Sequence, residues 1–260
     1  MGISVAGELG AEAIDRFAAS LIGEIPPATR RLSHVAALWD PLDGSLRNLR
    51  IGASSPRSEH DAFLLSFSRA RAEAIVITGA ILRAEPELRY EPGGLGGAFP
   101  GLARWRRERA GLEEPPLLAV LTRDESLDLE HPALHGWARP LIFSTPGVAS
   151  SLRRRAGAGV EIVGSRRAGL PTLLERLAER GLGLVSLEAG PRTTSALYEP
   201  PPQIEELLLS IFHSRELPEP ARGEPFLSLE ELEGRLPPAR APTWVQEPSG
   251  RWSFRRLCRL

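Results

Sequence analysis

The sequence predicts an α/β protein with a mainly parallel central sheet. Short, fully apolar runs rich in Val, Ile and Leu recur along the chain, stretches with apolar residues at helical spacing separate them, and turn residues bound each run. With 260 residues, 42% of them hydrophobic, the chain is long enough to bury a sizeable core.

The elements follow in order. Residues 11–22 (AEAIDRFAASLI) carry apolar side chains at helical period, and Pro26 and Pro27 close that helix off. Residues 1–30 therefore read as an N-terminal helix and linker, and 31–260 as the main domain. Residues 33–39 (SHVAALW) predict the first buried strand. The helical period of 59–71 feeds a β-branched strand at 74–78. Short apolar runs at 117–121, 140–143 and 160–163 predict further interior strands. Residues 170–180 (LPTLLERLAER) form an amphipathic helix with Gly181 as its stop signal, so the strand at 182–187 follows directly. The segment 203–212 fits either strand or helix. Beyond it, Pro218, Pro220, Pro225, Pro237, Pro238 and Pro242 predict extended loop rather than helix. Alternation across 243–246 and 251–257, around a turn at 247–250, predicts a C-terminal β-hairpin of antiparallel edge strands.

Composition removes several function classes. Lys plus Arg number 32 against 33 Asp plus Glu, a balance that argues against bulk nucleic-acid binding. All 32 positive side chains are Arg, so lysine Schiff-base chemistry and a Walker A lysine are excluded. Cys258 is the one cysteine, which excludes an intrachain disulfide framework and a cysteine-built zinc site and fits a reducing, cytoplasmic compartment. No apolar run approaches a membrane span, and residues 1–21 lack a signal-peptide core. Neither a Gly-x-Ser-x-Gly elbow nor a Cys-x-x-Cys pair occurs, which removes the usual hydrolase and deaminase signatures.

The most informative stretch is 182–194, an apolar run that ends abruptly in Glu188-Ala189-Gly190-Pro191 and then Arg192-Thr193-Thr194. It predicts a buried strand meeting a tight turn at a helix start. Small residues there let a ligand approach the backbone, and the free N–H groups of a first helical turn suit a phosphate. A strand-to-helix turn with no ligand fits the same residues. Other features point to structure more than to chemistry. His131 and His135 have ligand spacing, but Pro132 intervenes and no third ligand is evident, so a surface loop is expected. Gly93-Gly94-Leu95-Gly96-Gly97 follows Pro92 and no strand, and reads as a flexible loop rather than a phosphate cradle. Arg104-Trp105-Arg106-Arg107, with Glu108, Glu113 and Glu114 close behind, reads as a solvated face.

Four collinear motifs resemble the reductase domain of bacterial riboflavin biosynthesis. Leu42-Asp43-Gly44 is similar to that family's Ser-Leu-Asp-Gly turn, and Ala53-Ser54-Ser55-Pro56 to its Ser-Gly-Pro-Glu helix start. Residues 69–85 (RARAEAIVITGAILRAE) resemble its Arg-Ala-Glu-Ala-Asp-Ala helix end followed by Gly-Ala-Gly-Thr-Val-Arg-Ala-Asp, and Glu188-Ala189-Gly190-Pro191 its Glu-Gly-Gly-Pro turn. The likeness spans about 33–257. It implies a dihydrofolate-reductase-like three-layer α/β/α fold with a mostly parallel central sheet and a C-terminal antiparallel hairpin.

The same resemblance implies an NADPH-dependent reductase acting on a phosphoribosylaminopyrimidine, 5-amino-6-(5-phosphoribosylamino)uracil. The alternative is a non-catalytic or substrate-divergent member of the fold that binds a nucleotide or a protein partner. With no zinc-deaminase cysteines, the chain would be the stand-alone reductase half, working as a homodimer. By position, Thr78, Gly79, Ala80, Thr122, Arg123, Glu188, Ala189, Gly190 and Arg192 would hold the cofactor, with Thr122 and Arg123 at its 2′-phosphate. Asp43, Arg83 and Glu188 would contact the substrate's ribose and phosphate. Turn and cap roles also fit Asp43 and Glu188, and surface charges also fit Arg83 and Arg123. No side-chain triad or metal is implied, because the cofactor carries the chemistry and the protein positions it. Here Ala80-Ile81 replaces the family's Gly-Thr, Ala189 a glycine, Arg192 a threonine, and Ser45 the basic residue after Asp-Gly.

Overall fold

Apolar periodicity becomes secondary structure largely where the sequence places it. The computed structural model describes residues 10–25, 31–50 and 52–259, so Pro26 and Pro27 lie outside the described residues. The helices are α1 (Ala11–Ile22), α2 (Glu59–Arg71), α3 (Gly79–Ala84), α4 (Gly101–Glu108), α5 (Pro146–Arg155), α6 (Leu170–Glu179), α7 (Pro191–Thr194) and α8 (Leu229–Arg235). The strands are β1 (Arg31–Asp40), β2 (Arg47–Leu49), β3 (Ala74–Thr78), β4 (Leu117–Leu121), β5 (Arg139–Ser144), β6 (Glu161–Gly164), β7 (Leu184–Leu187), β8 (Glu206–His213), β9 (Arg222–Pro225), β10 (Thr243–Glu247) and β11 (Gly250–Cys258).

One sheet runs in the order β10-β11-β8-β1-β7-β3-β4-β5-β6, with β2 on β1 and β9 on β2. The stretch from β8 to β6 is parallel throughout, because helices carry the chain back to the sheet's starting end each time. The predicted hairpin adds β11 antiparallel to β8 and leaves β10 at the edge. Strands buried on both faces explain the continuous apolar runs: in β3, Ala74 and Val76 face one layer while Ile75 and Ile77 face the other. α6 and α8 cover the first face, packing Leu173, Leu177 and Leu232. α1, α2 and α4 cover one part of the second face and α5 the rest. The result is the three-layer architecture expected. α1 docks on its own domain, burying Ile14, Ala18, Leu21 and Ile22 against the aromatic cluster of Phe63, Phe67 and Trp252.

One open reading is resolved and three expectations change. The segment 203–212 is strand β8, buried along nearly its whole length. The proline-rich tail holds a helix after all: α8 starts at Ser228, whose hydroxyl accepts the Glu231 N–H while the Glu231 carboxylate accepts the Ser228 N–H. The segment at Arg104 is helix α4, only half solvated, because Trp105 donates to Asp15 Oδ1 at 2.6 Å and Arg106 donates to the Ala70 and Ala72 carbonyls at the end of α2. His131 is buried rather than on the surface. Its Nδ1 accepts the Ala133 N–H at 3.1 Å, and its Nε2 sits between the Leu82 and Glu85 carbonyls at 3.1 and 3.0 Å, tying this loop to α3. The 93–97 glycine loop is a defined turn into a short 3-10 helix over Leu95–Gly97, with the Leu95 N–H on Ser66 Oγ at 3.2 Å.

Candidate active site

Parallel strands end together, and loops leaving them frame a crevice. Here a cavity of about 580 Å³ opens past the carboxyl end of β7 and over the middle of β1, within the range of small-molecule sites. α2 supplies one wall. Asp61, Leu65 and Arg69 stand at i, i+4 and i+8, so a single helical stripe presents a carboxyl, a hydrocarbon and a guanidinium to the same space. The helix is aimed there by its cap: Ser58 Oγ accepts the Asp61 N–H at 3.0 Å and donates to Glu247 Oε1 at 2.9 Å, which anchors the helix start to the C-terminal hairpin. β1 gives Val35 to Ala37 as the floor, and Trp252 of β11 closes one side. Opposite stand Ile81 and Glu85 of the α3 segment and the turn Glu188-Ala189-Gly190 after β7. Arg50 and Arg57, from the loop between β2 and α2, line the mouth as exposed residues and form no salt bridge among the described residues.

Charge in this cavity is unevenly satisfied. Arg69 grips Glu188 in a bidentate pair, Nε to Oε1 at 2.9 Å and Nη2 to Oε2 at 2.6 Å, and its guanidinium lies 4.4 Å from the centre of the Tyr90 ring. Burial alone would lower the Arg69 pKa; the Glu188 carboxylate reverses that and keeps the guanidinium charged. Glu85, half-buried nearby, has its carboxyl pushed up by desolvation, with Arg69 opposing the shift. Asp61 differs in kind. Burial pushes its carboxyl up to about 6 against the opposing Ser210 hydroxyl, and the Glu247 charge adds to the rise. An acid of that strength changes protonation near neutral pH, as a proton donor must.

The residues singled out in the sequence fall in two groups. Glu188, Ala189 and Gly190 line the cavity, and so does Ile81, so the turn after β7 and the α3 segment border one space. Ala189 adds its methyl at the wall and is nearly buried. Thr78, Gly79, Ala80, Thr122 and Arg123 lie outside the cavity lining, at the ends of the adjacent strands β3 and β4, which sit beside β7 in the sheet. Gly79 is needed there: a Cβ on it would come 2.8 Å from Thr122 Oγ1. Thr122 is buried, its Oγ1 accepting the Asp124 N–H at 3.1 Å, while Ala80 and Arg123 are exposed. Arg83 pairs with Asp124 at 2.8 Å on the surface. Asp43 stabilises its own turn by accepting the Ser45 N–H and hydroxyl at 2.9 and 2.6 Å. Arg192 points outward to Glu224 at 2.5 Å. Asp61, Arg50, Arg57, Glu85 and Trp252 were not singled out in the sequence. For Asp61 the signal was present in its helical register with Leu65 and Arg69. Among the described residues, no three His, Cys, Asp or Glu side chains converge as a metal site, and no helix is long and apolar enough to cross a membrane.

No protein-family model matches the chain, and no curated protein matches it. Solved structures do. The chain is similar to a pyrimidine reductase-like protein of Corynebacterium diphtheriae, at 20% identity and a TM-score of 0.66 over 96% of this chain and 98% of that one. It is also similar to RibD of Acinetobacter baumannii, at 17% identity and a TM-score of 0.56, covering 88% of this chain and 58% of RibD. A third likeness is to the riboflavin biosynthesis reductase Rib7 of Saccharomyces cerevisiae, at 12% identity and a TM-score of 0.55 over 94% and 98% of the two chains. These likenesses establish the fold, which is that of the RibD C-terminal-like reductase domain, as the collinear motifs led us to expect.

Proposed function

We propose that the chain is an NADPH-dependent reductase of a small phosphorylated substrate, of the class of 5-amino-6-(5-phosphoribosylamino)uracil. The observation that carries this reading is the cavity itself, where the Asp61 carboxyl, an apolar wall of Leu65, Ile81 and Leu95, and the exposed Arg50 and Arg57 meet in one space within a reductase fold. The wall suits a flat ring, and the two guanidinium groups suit a phosphate tail.

The residues present fit a dinucleotide. The N–H groups of Ala189 and Gly190 make no hydrogen bond among the described residues and border the cavity, and the ends of β3 and β4 continue the same edge. Ala189, Gly190, Thr78 to Ala80, Thr122 and Arg123 would hold NADPH, which when bound supplies the hydride. Asp61 holds a proton at its carboxyl and gives it to the reduced substrate. Leu65, Ile81 and Trp252 exclude water, and Arg69 with Tyr90 fixes the Glu188 wall. On the same reading the protein works in the cytoplasm as a homodimer. One feature favours a substrate-divergent enzyme of this kind: Arg69 already holds both oxygens of Glu188, the residue expected to accept from a sugar.

Titration with NADPH, followed by melting temperature and Trp fluorescence, tests the reading. Binding is expected at micromolar to sub-millimolar cofactor, and Arg123→Ala is expected to weaken NADPH by about tenfold or more while leaving NADH nearly unchanged. The double variant Arg50→Ala with Arg57→Ala is expected to raise KM for the phosphorylated substrate by about tenfold or more at nearly constant kcat, as loss of uniform binding requires. No response to millimolar NADPH overturns the reading.

A further inference from the structure

His34 is a buried titratable side chain that the chemistry above does not use. It sits on β1, 2% exposed, on the sheet face occupied by Ala36 and Leu38. Tyr198, fully buried, meets it edge-on, and Phe226 packs against both rings. Its two ring nitrogens have different partners. Nε2 lies 3.1 Å from the Ala189 carbonyl oxygen, and Nδ1 lies 2.6 Å from the Tyr198 hydroxyl.

A carbonyl can only accept, so Nε2 carries the proton and donates it to Ala189. Nδ1 is then bare and accepts from the Tyr198 hydroxyl, which has no other partner among the described residues. Desolvation holds the imidazole near a pKa of about 4, so it stays neutral and this tautomer persists across the physiological range. The peptide linking Ala189 and Gly190 is planar and trans, so a carbonyl drawn toward His34 turns the Gly190 N–H the opposite way. Ala189 and Gly190 both line the cavity. Without the pair, that peptide would be free to rotate and present an oxygen where a donor now stands.

We propose that His34 and Tyr198 are a positioning pair that locks the Ala189–Gly190 peptide with its carbonyl out of the cavity, setting affinity for the anionic cofactor. The role rests on the reductase reading. Tyr198 acts through His34, and His34 acts through Ala189; neither lines the cavity.

The experiment compares Tyr198→Phe, His34→Gln and His34→Leu with the wild-type protein, using NADPH binding, KM against kcat, melting temperature and nitrogen NMR of the imidazole. Wild-type His34 is expected to be protonated at Nε2. Tyr198→Phe keeps the ring packing but frees the tautomer, and is expected to raise Kd and KM for NADPH by about tenfold with kcat changed less than about twofold. His34→Leu is expected to lose affinity at least as far. His34→Gln, whose side-chain amide reaches where Nε2 does, is expected to keep binding close to wild type. A merely structural pair would lower the melting temperature in all three variants without this order of affinities. Wild-type NADPH binding with unchanged affinity in Tyr198→Phe, or an imidazole protonated at Nδ1, overturns the positioning role alone. A wild-type protein that binds no NADPH overturns the reductase reading and this role with it.

Discussion

Asp61→Asn is expected to make the protein more stable at pH 8 and far slower. The carboxyl stands at about 6 in the folded protein against an ordinary 3.8, so folding favours its protonated form. Its stabilising contribution is complete below about pH 4, where both states are protonated, and is lost as pH rises through 6, where the folded protein must ionise a desolvated group. Asn mimics the neutral acid at every pH. The full shift corresponds to about 3 kcal/mol, which solvent at the cavity wall reduces to about 1–2 kcal/mol. Urea denaturation should therefore show no gain for the variant near pH 4 and a gain that opens between pH 4 and 6 and then levels off. Turnover with NADPH should fall by about a hundredfold or more, and the wild-type loss of rate on going above pH 6 should vanish in the variant. A stability difference that ignores pH would show that Asp61 ionises freely, and equal turnover would remove it from the chemistry.

Asp61 also shows which part of the site the sequence could yield. α1, α2, β3 and β4 fall where period and β-branching put them, because each buries a face that its own residues define. The turn at Glu188 and the α3 segment at Ile81 were recognisable because each is one continuous motif. The rest of the cavity is assembled from distant pieces: Arg50 and Arg57 from the loop before α2, Asp61 from α2, Trp252 from β11. No local pattern marks such convergence. β2 and β9 escaped for a related reason, since strands of three and four residues exist only because they pair with each other and with β1. Trp105, Arg106 and His131 read as surface residues in the sequence because their partners, the half-exposed Asp15 carboxylate and the carbonyls of Ala70, Ala72, Leu82 and Glu85, come from other elements. Glu188 was found and its engagement was not, for the same cause: Arg69 lies 119 residues away in sequence.

The largest loss of stability is expected near the amino ends of β1 and β8, from Glu206→Gln. Glu206 begins β8 fully buried, and its two oxygens take four donors: Arg256 Nε at 2.7 Å and Arg31 Nη1 at 3.1 Å on Oε1, Ser33 Oγ at 2.9 Å and Arg71 Nη1 at 3.1 Å on Oε2. Burial pushes this carboxyl up, yet Arg71 and Arg256 together outweigh burial and hold it at about 2. Its stabilising contribution is therefore present above its ordinary value of 4.5 and lost as pH falls through 2, so acid unfolding should begin in that window. One carboxylate serves three guanidinium groups, drawn from β1, α2 and β11, elements that also line the cavity. Glutamine removes the charge and turns an amide N–H toward an arginine, leaving Arg71 and Arg256 buried without a counter-ion. Breaking a buried pair from one side costs about 3–5 kcal/mol, a large share of the 5–15 kcal/mol that holds a typical domain. Denaturant midpoints at pH 7 measure it, and adding Arg71→Met should restore part of the loss by removing one orphaned cation. A Glu206→Gln protein as stable as wild type would mean that water reaches this cluster and screens it.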